Sequence, residues 1–204
     1  MESIYTIGHS THTIERLIQL LEQHHVTALA DVRSQPYSRM NPQFNREMLK
    51  TSLRQAGIAY VFLGEQLGAR AEDPACYRDG RVQYDLLAKT EPFREGLRRL
   101  QEGAQTHRIA LMCAEKEPLH CHRTILVSRH LVEAGLDVRH ILADGGIEDH
   151  RHAMSRLVKL LKLQEDDLFR SPEDIEELAY RLQGEAMAFQ APADEGRRKV
   201  PHVR

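Results

Sequence analysis

Five short, largely apolar runs recur along the chain, each closed by polar residues and each followed by a stretch of different periodicity. They are Ile4–Ile7, Val26–Ala30, Ile58–Leu63, Ile109–Met112 and Val138–Leu142. All five read as strands, and Ile109–Met112 suits one buried on both faces of a parallel sheet. The stretches between them carry apolar residues at helical spacing. Ile14, Leu17, Ile18 and Leu21 form one stripe, with Thr11 or Thr13 as cap and Glu15 in the first turn. Strands alternating with helices predict an α/β fold, with a mostly parallel sheet, helices on both faces and three layers.

The remaining elements follow from stop and start signals. Asn45 can cap a helix carrying Met48, Leu49 and Leu53 and stopped by Gly57. Helical segments run from about Val82 to Ala104, broken near Thr90-Glu91-Pro92. Residues 64–82 read as a long loop, with Cys76 an incidental exposed thiol. A helix from about Ile147 carries Met154, Leu157, Val158 and Leu161. A last one opens at Ser171-Pro172-Glu173-Asp174. The organisation expected is an α/β domain over 1–163, a C-terminal helical extension over 164–189 and a flexible basic tail over 190–204. The extension either completes the domain or builds a homodimer interface.

Polar residues gather where the strands end. The first run gives Gly8, His9 and Ser10, the second Asp31 and Arg33, the third Gly64 and Glu65, the fourth Cys113 and Glu115, the fifth Asp144. Parallel strands place all these ends on one rim, where α/β sheets bind ligands. If the second strand stays extended, Asp31 and Arg33 point to the same side. The irregular stretch 34–44 adds Tyr37, Ser38, Arg39 and Phe44. After the fourth run, His120-Cys121-His122-Arg123 opens a helix over Thr124–Val132. Helix starts favour acidic residues, so this basic start costs about 0.3–1 kcal/mol per cation. It suits an anion instead, and lowers the pKa of a nearby thiol.

Composition narrows the class. The net charge of −2 supplies no global field toward nucleic acid or membrane. Three cysteines do not form a secreted disulfide framework. The opening MESIYTIGHS has neither a basic nor an apolar leader region, and no run nears the ~20 apolar residues of a membrane span. A cytoplasmic protein with reduced thiols is expected.

Tyr5-Thr6-Ile7-Gly8-His9-Ser10, Asp31-Val32-Arg33 followed by Pro36 and Ser38, Gly57-Ile58-Ala59-Tyr60 with Leu63-Gly64, and Met112-Cys113-Ala114-Glu115 with Cys121-His122-Arg123 go together. As a set they resemble the bacterial "domain of unknown function 488" family, over roughly residues 3–145. The resemblance implies an α/β fold and a cytoplasmic location, and it supplies no established activity. Its motifs coincide with the rim read above.

Four functions compete. In the first, an enzyme handles a phosphate-bearing or nucleotide-like anionic ligand. Gly8, Ser10, Arg33, Ser38, Arg39 and Arg123 would hold the ligand, Arg being suited to bidentate contacts. Cys113 or Cys121 would be the nucleophile, with Glu115 in the same site. His9 or His122 would be acid or base, oriented by Asp31. Tyr37 or Phe44 would stack on a base. The spacing from Cys113 to Arg123 is too long for a Cys-x5-Arg phosphatase loop. In the second, the same residues serve a non-catalytic module for nucleotide or nucleic acid, with the cysteines as packing residues. The third, a metal site of Cys113, Cys121, His122 and His9, is disfavoured. The Cys–Cys gap exceeds the usual zinc pair, and adjacent Cys121 and His122 would point in different directions. The fourth is a redox switch between Cys113 and Cys121.

Overall fold

The computed structural model describes residues 3–163 and 170–191. The chain runs β1 (Ile4–Gly8), α1 (Ile14–Gln23), β2 (Ala28–Asp31), α2 (Arg46–Gln55), β3 (Ala59–Phe62) and a single turn α3 (Gly64–Leu67). A small hairpin, β4 (Tyr77–Arg78) and β5 (Arg81–Val82), then leads through α4 (Tyr84–Leu87) to α5 (Glu91–Gly103) and β6 (Ile109–Cys113). A π-helical segment, Arg123–Ser128, continues as α6 (Arg129–Glu133). β7 (Val138–Ile141), β8 (Ile147–Asp149), α7 (His150–Leu160) and α8 (Pro172–Met187) complete the order.

The main sheet has six strands in the order β3-β2-β6-β1-β7-β8. All neighbours are parallel except β7 and β8. Strand parity divides the core in two. Leu29, Ala110 and Met112 pack with Leu17, Leu20, Leu49 and Leu53 of α1 and α2. Ala28, Ala30, Leu111 and Cys113 pack with Phe93, Leu100 and Leu131 of α5 and α6. The three-layer α/β fold expected from the alternation is therefore present. β6 lies between β1 and β2, where the winding direction reverses. Its carboxyl end is the rim position at which such sheets bind ligands.

Several local expectations are corrected. Residues 64–82 hold α3 and the hairpin, whose Asp79-Gly80 turn has φ of 49° and 75°. That is the left-handed pair a two-residue hairpin turn requires, and Asp-Gly is its sequence signal. Cys76 is buried, not exposed. Ile147 begins β8 rather than a helix, because Gly145 at φ 100° turns the chain back along β7. Thr13 caps α1 by accepting from the Arg16 amide at 3.2 Å. Asn45 precedes α2 but its Oδ1 accepts from the Ser38 amide at 2.7 Å instead. Of the expected tail, Gln190 bridges to Arg81 and the Ala191 amide bonds Gly80 O, while 192–204 lie outside the described residues, as do 164–169.

α8 starts with a reciprocal capping box between Ser171 and Asp174. It buries Ile175, Ala179 and Tyr180 against Leu119, Ile125 and the α7 stripe Met154, Leu157 and Val158. A buried polar chain crosses this interface. Thr6 Oγ1 lies 2.8 Å from His140 Nδ1, His140 Nε2 lies 3.1 Å from His150 Nδ1, and His150 Nε2 lies 2.6 Å from Tyr180 Oη. One proton per ring satisfies the whole chain in either direction. Burial pushes the His150 pKa down to about 4 and that of His140 well below its usual value. The neutral form is therefore the folded form. Its contribution is intact above pH ~6.5 and is lost as acid protonates the unfolded chain first. The depression at His150 corresponds to roughly 3 kcal/mol. Denaturant melts at pH 7 and pH 4.5 should show a loss of stability that is smaller in His150→Gln than in the wild type.

Candidate functional site

The carboxyl ends of β1, β2 and β6 carry two side-chain clusters. The first is built on β2. Asp31 is fully buried and receives Arg33 through two guanidinium nitrogens, Nε to Oδ1 at 2.8 Å and NH2 to Oδ2 at 2.6 Å. Residues two apart on an extended chain share a side, which makes this bidentate pairing available. Tyr60 Oη donates to Asp31 Oδ2 at 2.9 Å, and Arg33 NH2 also reaches Phe44 O at 2.8 Å. His9 stacks on Phe44 with ring centroids 4.4 Å apart. Its Nδ1 faces Ser10 O at 2.9 Å and its Nε2 faces Arg33 NH1 at 3.3 Å. Burial, helped by the Arg33 charge, lowers the His9 pKa to about 4. This cluster is internally satisfied. Asp31 holds Arg33 and Tyr60, and Phe44 stacks on His9.

The second cluster is built on β6 and the segment after it. Pro118–His120 is a 3-10 turn, Cys121 is extended (φ −139°, ψ 138°), and His122 is already helical (φ −58°, ψ −25°). That change of backbone removes the strand-like alternation expected of adjacent residues. Cys113 Sγ, Cys121 Sγ and His122 Nδ1 consequently converge, all within 4.8 Å of one another. Cys113 Sγ lies 3.6 Å and Cys121 Sγ 3.9 Å from Nδ1. The expectation that Cys121 and His122 diverge is thereby overturned. His122 Nε2 donates to Val32 O at 3.0 Å, so Nδ1 is the lone-pair nitrogen facing the sulfurs.

Arg123 stands behind the sulfurs and is fully buried. Its guanidinium donates to Glu115 O at 2.7 Å and Lys116 O at 3.3 Å, and its Nε has no partner. Among the described residues it pairs with no carboxylate. It pins the loop after β6 to the helix start, and Gly8 is required there: a Cβ at that position would collide with the Glu115 carbonyl and crowd Arg123. The hydrogen bond to Cys121 and burial push the Cys113 thiol up. Burial also opposes ionisation of Cys121, but the Cys113 S–H, Arg123 and His122 together outweigh it and hold that thiol well below its usual value. Of the two thiols, Cys121 is the one whose ionisation the surroundings favour.

A cleft of about 380 Å³ opens onto this floor. Of the residues expected at the site, Arg33, Cys113, Glu115, Cys121 and His122 line it, with Tyr37 at its mouth. Gly8, His9, Ser10, Asp31, Ser38, Arg123 and the exposed Arg39 are not among its walls. Arg70, Tyr84, Met187 and Phe189 are walls that the sequence reading did not find. Arg70 sits over the Phe189 ring at 4.2 Å. Phe189 reaches the cleft because its carbonyl accepts from the Val82 amide of the hairpin. No spacing rule connects positions that distant. Tyr60 was findable, since it pairs in register with Leu29 and so shares the face of Asp31.

Fold and site together define an α/β protein with a buried thiol–imidazole–guanidinium cluster at the carboxyl end of its central strand. The profile of the family described as "Domain of unknown function DUF488" matches residues 13–130, and the chain belongs to that family. The matched span contains Asp31, Arg33 and the whole Cys113–Arg123 cluster. No curated protein and no solved structure matches the chain. Among the described residues, no helix is long and apolar enough to cross a membrane.

The internal pairing of Asp31 makes its removal a stability event. Asp31→Ala leaves Arg33 buried without its carboxylate and should lower unfolding free energy by about 3–5 kcal/mol. Denaturant melts measure this; a loss below about 1 kcal/mol, the range of exposed pairs, would contradict the assignment.

Proposed function

We propose that the chain is an enzyme that uses its thiol pair on a phosphate-bearing or nucleotide-like anionic ligand seated in the cleft. The observation that carries this reading is the convergence of two sulfurs and a lone-pair nitrogen on the cleft floor, in front of a buried guanidinium. Arg33 and Arg70 give the walls guanidinium groups, and Tyr37, Tyr84 and Phe189 give them rings on which a base can stack.

The roles follow from the ionisation favoured at Cys121. Cys121 Sγ forms a bond to the electrophilic atom of the ligand. The leaving group departs with the electron pair of the broken bond and takes the Cys113 proton, relayed by His122 Nδ1. Cys113 is then the thiolate. Water attacks the Cys121-linked intermediate, its proton returns to Cys113, and Cys121 leaves as the thiolate. One negative charge stays beside Arg123 throughout, so no step strands that cation.

The burial of both sulfurs favours one alternative, a non-catalytic nucleotide or nucleic-acid module in which the cysteines only pack. A panel of nucleotides and phosphate esters, screened by thermal shift and then assayed for products, separates the two. We expect turnover of a stabilising ligand that falls about 10²-fold or more in Cys121→Ser and in His122→Ala, with Kd little changed. A ligand bound equally by wild type and Cys121→Ser, and consumed by neither, would leave the binding module.

A further inference from the structure

The same floor has the donor geometry of a metal centre. Tetrahedral zinc takes thiolate sulfur at ~2.3 Å and imidazole nitrogen at ~2.1 Å, which sets the sulfur–nitrogen edge of its tetrahedron at roughly 3.6 Å. The two such edges here are 3.6 and 3.9 Å. The His122 ring is held as a metal-ligating histidine is held, with its far N–H donated to a backbone carbonyl, Val32 O, and its near nitrogen free to ligate. Both sulfurs and that nitrogen lie within 4.8 Å of one another, and all three residues line the cleft.

We propose that Cys113, Cys121 and His122 form a three-ligand site for a borderline-soft divalent cation of zinc-like chemistry, with the fourth coordination position open to the cleft. Three protein ligands with one open position is the arrangement of catalytic rather than structural zinc. His9 is not the missing ligand, because both its ring nitrogens are committed. Glu115, exposed on the cleft wall, is the nearest carboxylate in sequence. The ion displaces the proton held between the sulfurs into solvent, and both become coordinated thiolates. With a hydroxide in the fourth position, the centre carries one net negative charge, which again balances Arg123.

This inference does not rest on the reaction proposed above and is read by binding alone. Seating an ion coordinates both sulfurs, so the metal-loaded centre and the free nucleophile are alternative states of one floor. The test uses the full chain stripped with a chelator, then titrated with Zn2+ against a chromophoric competitor. One equivalent per chain should bind, roughly tenfold or more weaker in His122→Ala, with larger losses in Cys113→Ser and Cys121→Ser. Cys76→Ser should bind as the wild type does. Because a core cysteine variant can fail to fold, a second measurement uses the wild type only. Co2+ should give the intense bands of a tetrahedral ion together with thiolate charge-transfer absorption. Binding that survives all three variants, the absence of stoichiometric binding, or an octahedral cobalt spectrum without a thiolate band would each overturn the site. Turnover by the stripped protein with no Zn2+ binding would defeat this inference and leave the thiol reaction standing.

Discussion

A buried guanidinium that pairs with no carboxylate among the described residues is the constraint to which the rest of the rim answers. Isolating such an ion from water costs several kcal/mol unless hydrogen bonds and an opposite charge offset it. Arg123 donates hydrogen bonds to the carbonyls of Glu115 and Lys116. That arrangement fixes the loop after β6 and makes Gly8 the residue that leaves it room. The same guanidinium favours ionisation of Cys121 in the sulfur pair in front of it. In the π-helical segment that begins at Arg123, the Ser128 hydroxyl donates to the Arg123 carbonyl at 2.7 Å, and such turns recur at functional sites.

Strand parity explains why the rim is two clusters rather than one. Asp31 shares the face of Leu29, toward α1 and α2, whereas Cys113 shares that of Leu111, toward α5 and α6. The two meet only at the rim, through Arg33 on the cleft wall and through the His122 bond to Val32 O. One cluster spends its charges on itself and braces the end of β2. The other keeps a lone pair and two sulfurs at the cleft. The distinction between a brace and a reactive floor is thus set by which side of the sheet a residue faces.

Much of this was legible in the chain. Apolar runs and helical stripes gave the layers, and the shared side of Asp31 and Arg33 followed from their spacing. Other features were not legible because they depend on distant or local backbone choices. β8 was hidden because Gly145 reverses the chain just before residues whose pattern is helical. The convergence of Cys121 and His122 turns on one change of backbone between neighbours. Phe189 joins the cleft through pairing with the hairpin, which no periodicity encodes. The arginines read as anion holders are partly occupied internally, since residue type announces a charge but not its partner.

The central claim is that the sulfur pair carries one negative charge to balance Arg123. Ultraviolet thiolate absorbance of the metal-free full chain at neutral pH, taken against the Cys113→Ser/Cys121→Ser double variant, measures it directly. The account predicts a difference equal to one thiolate per chain. A difference matching two protonated thiols would contradict it.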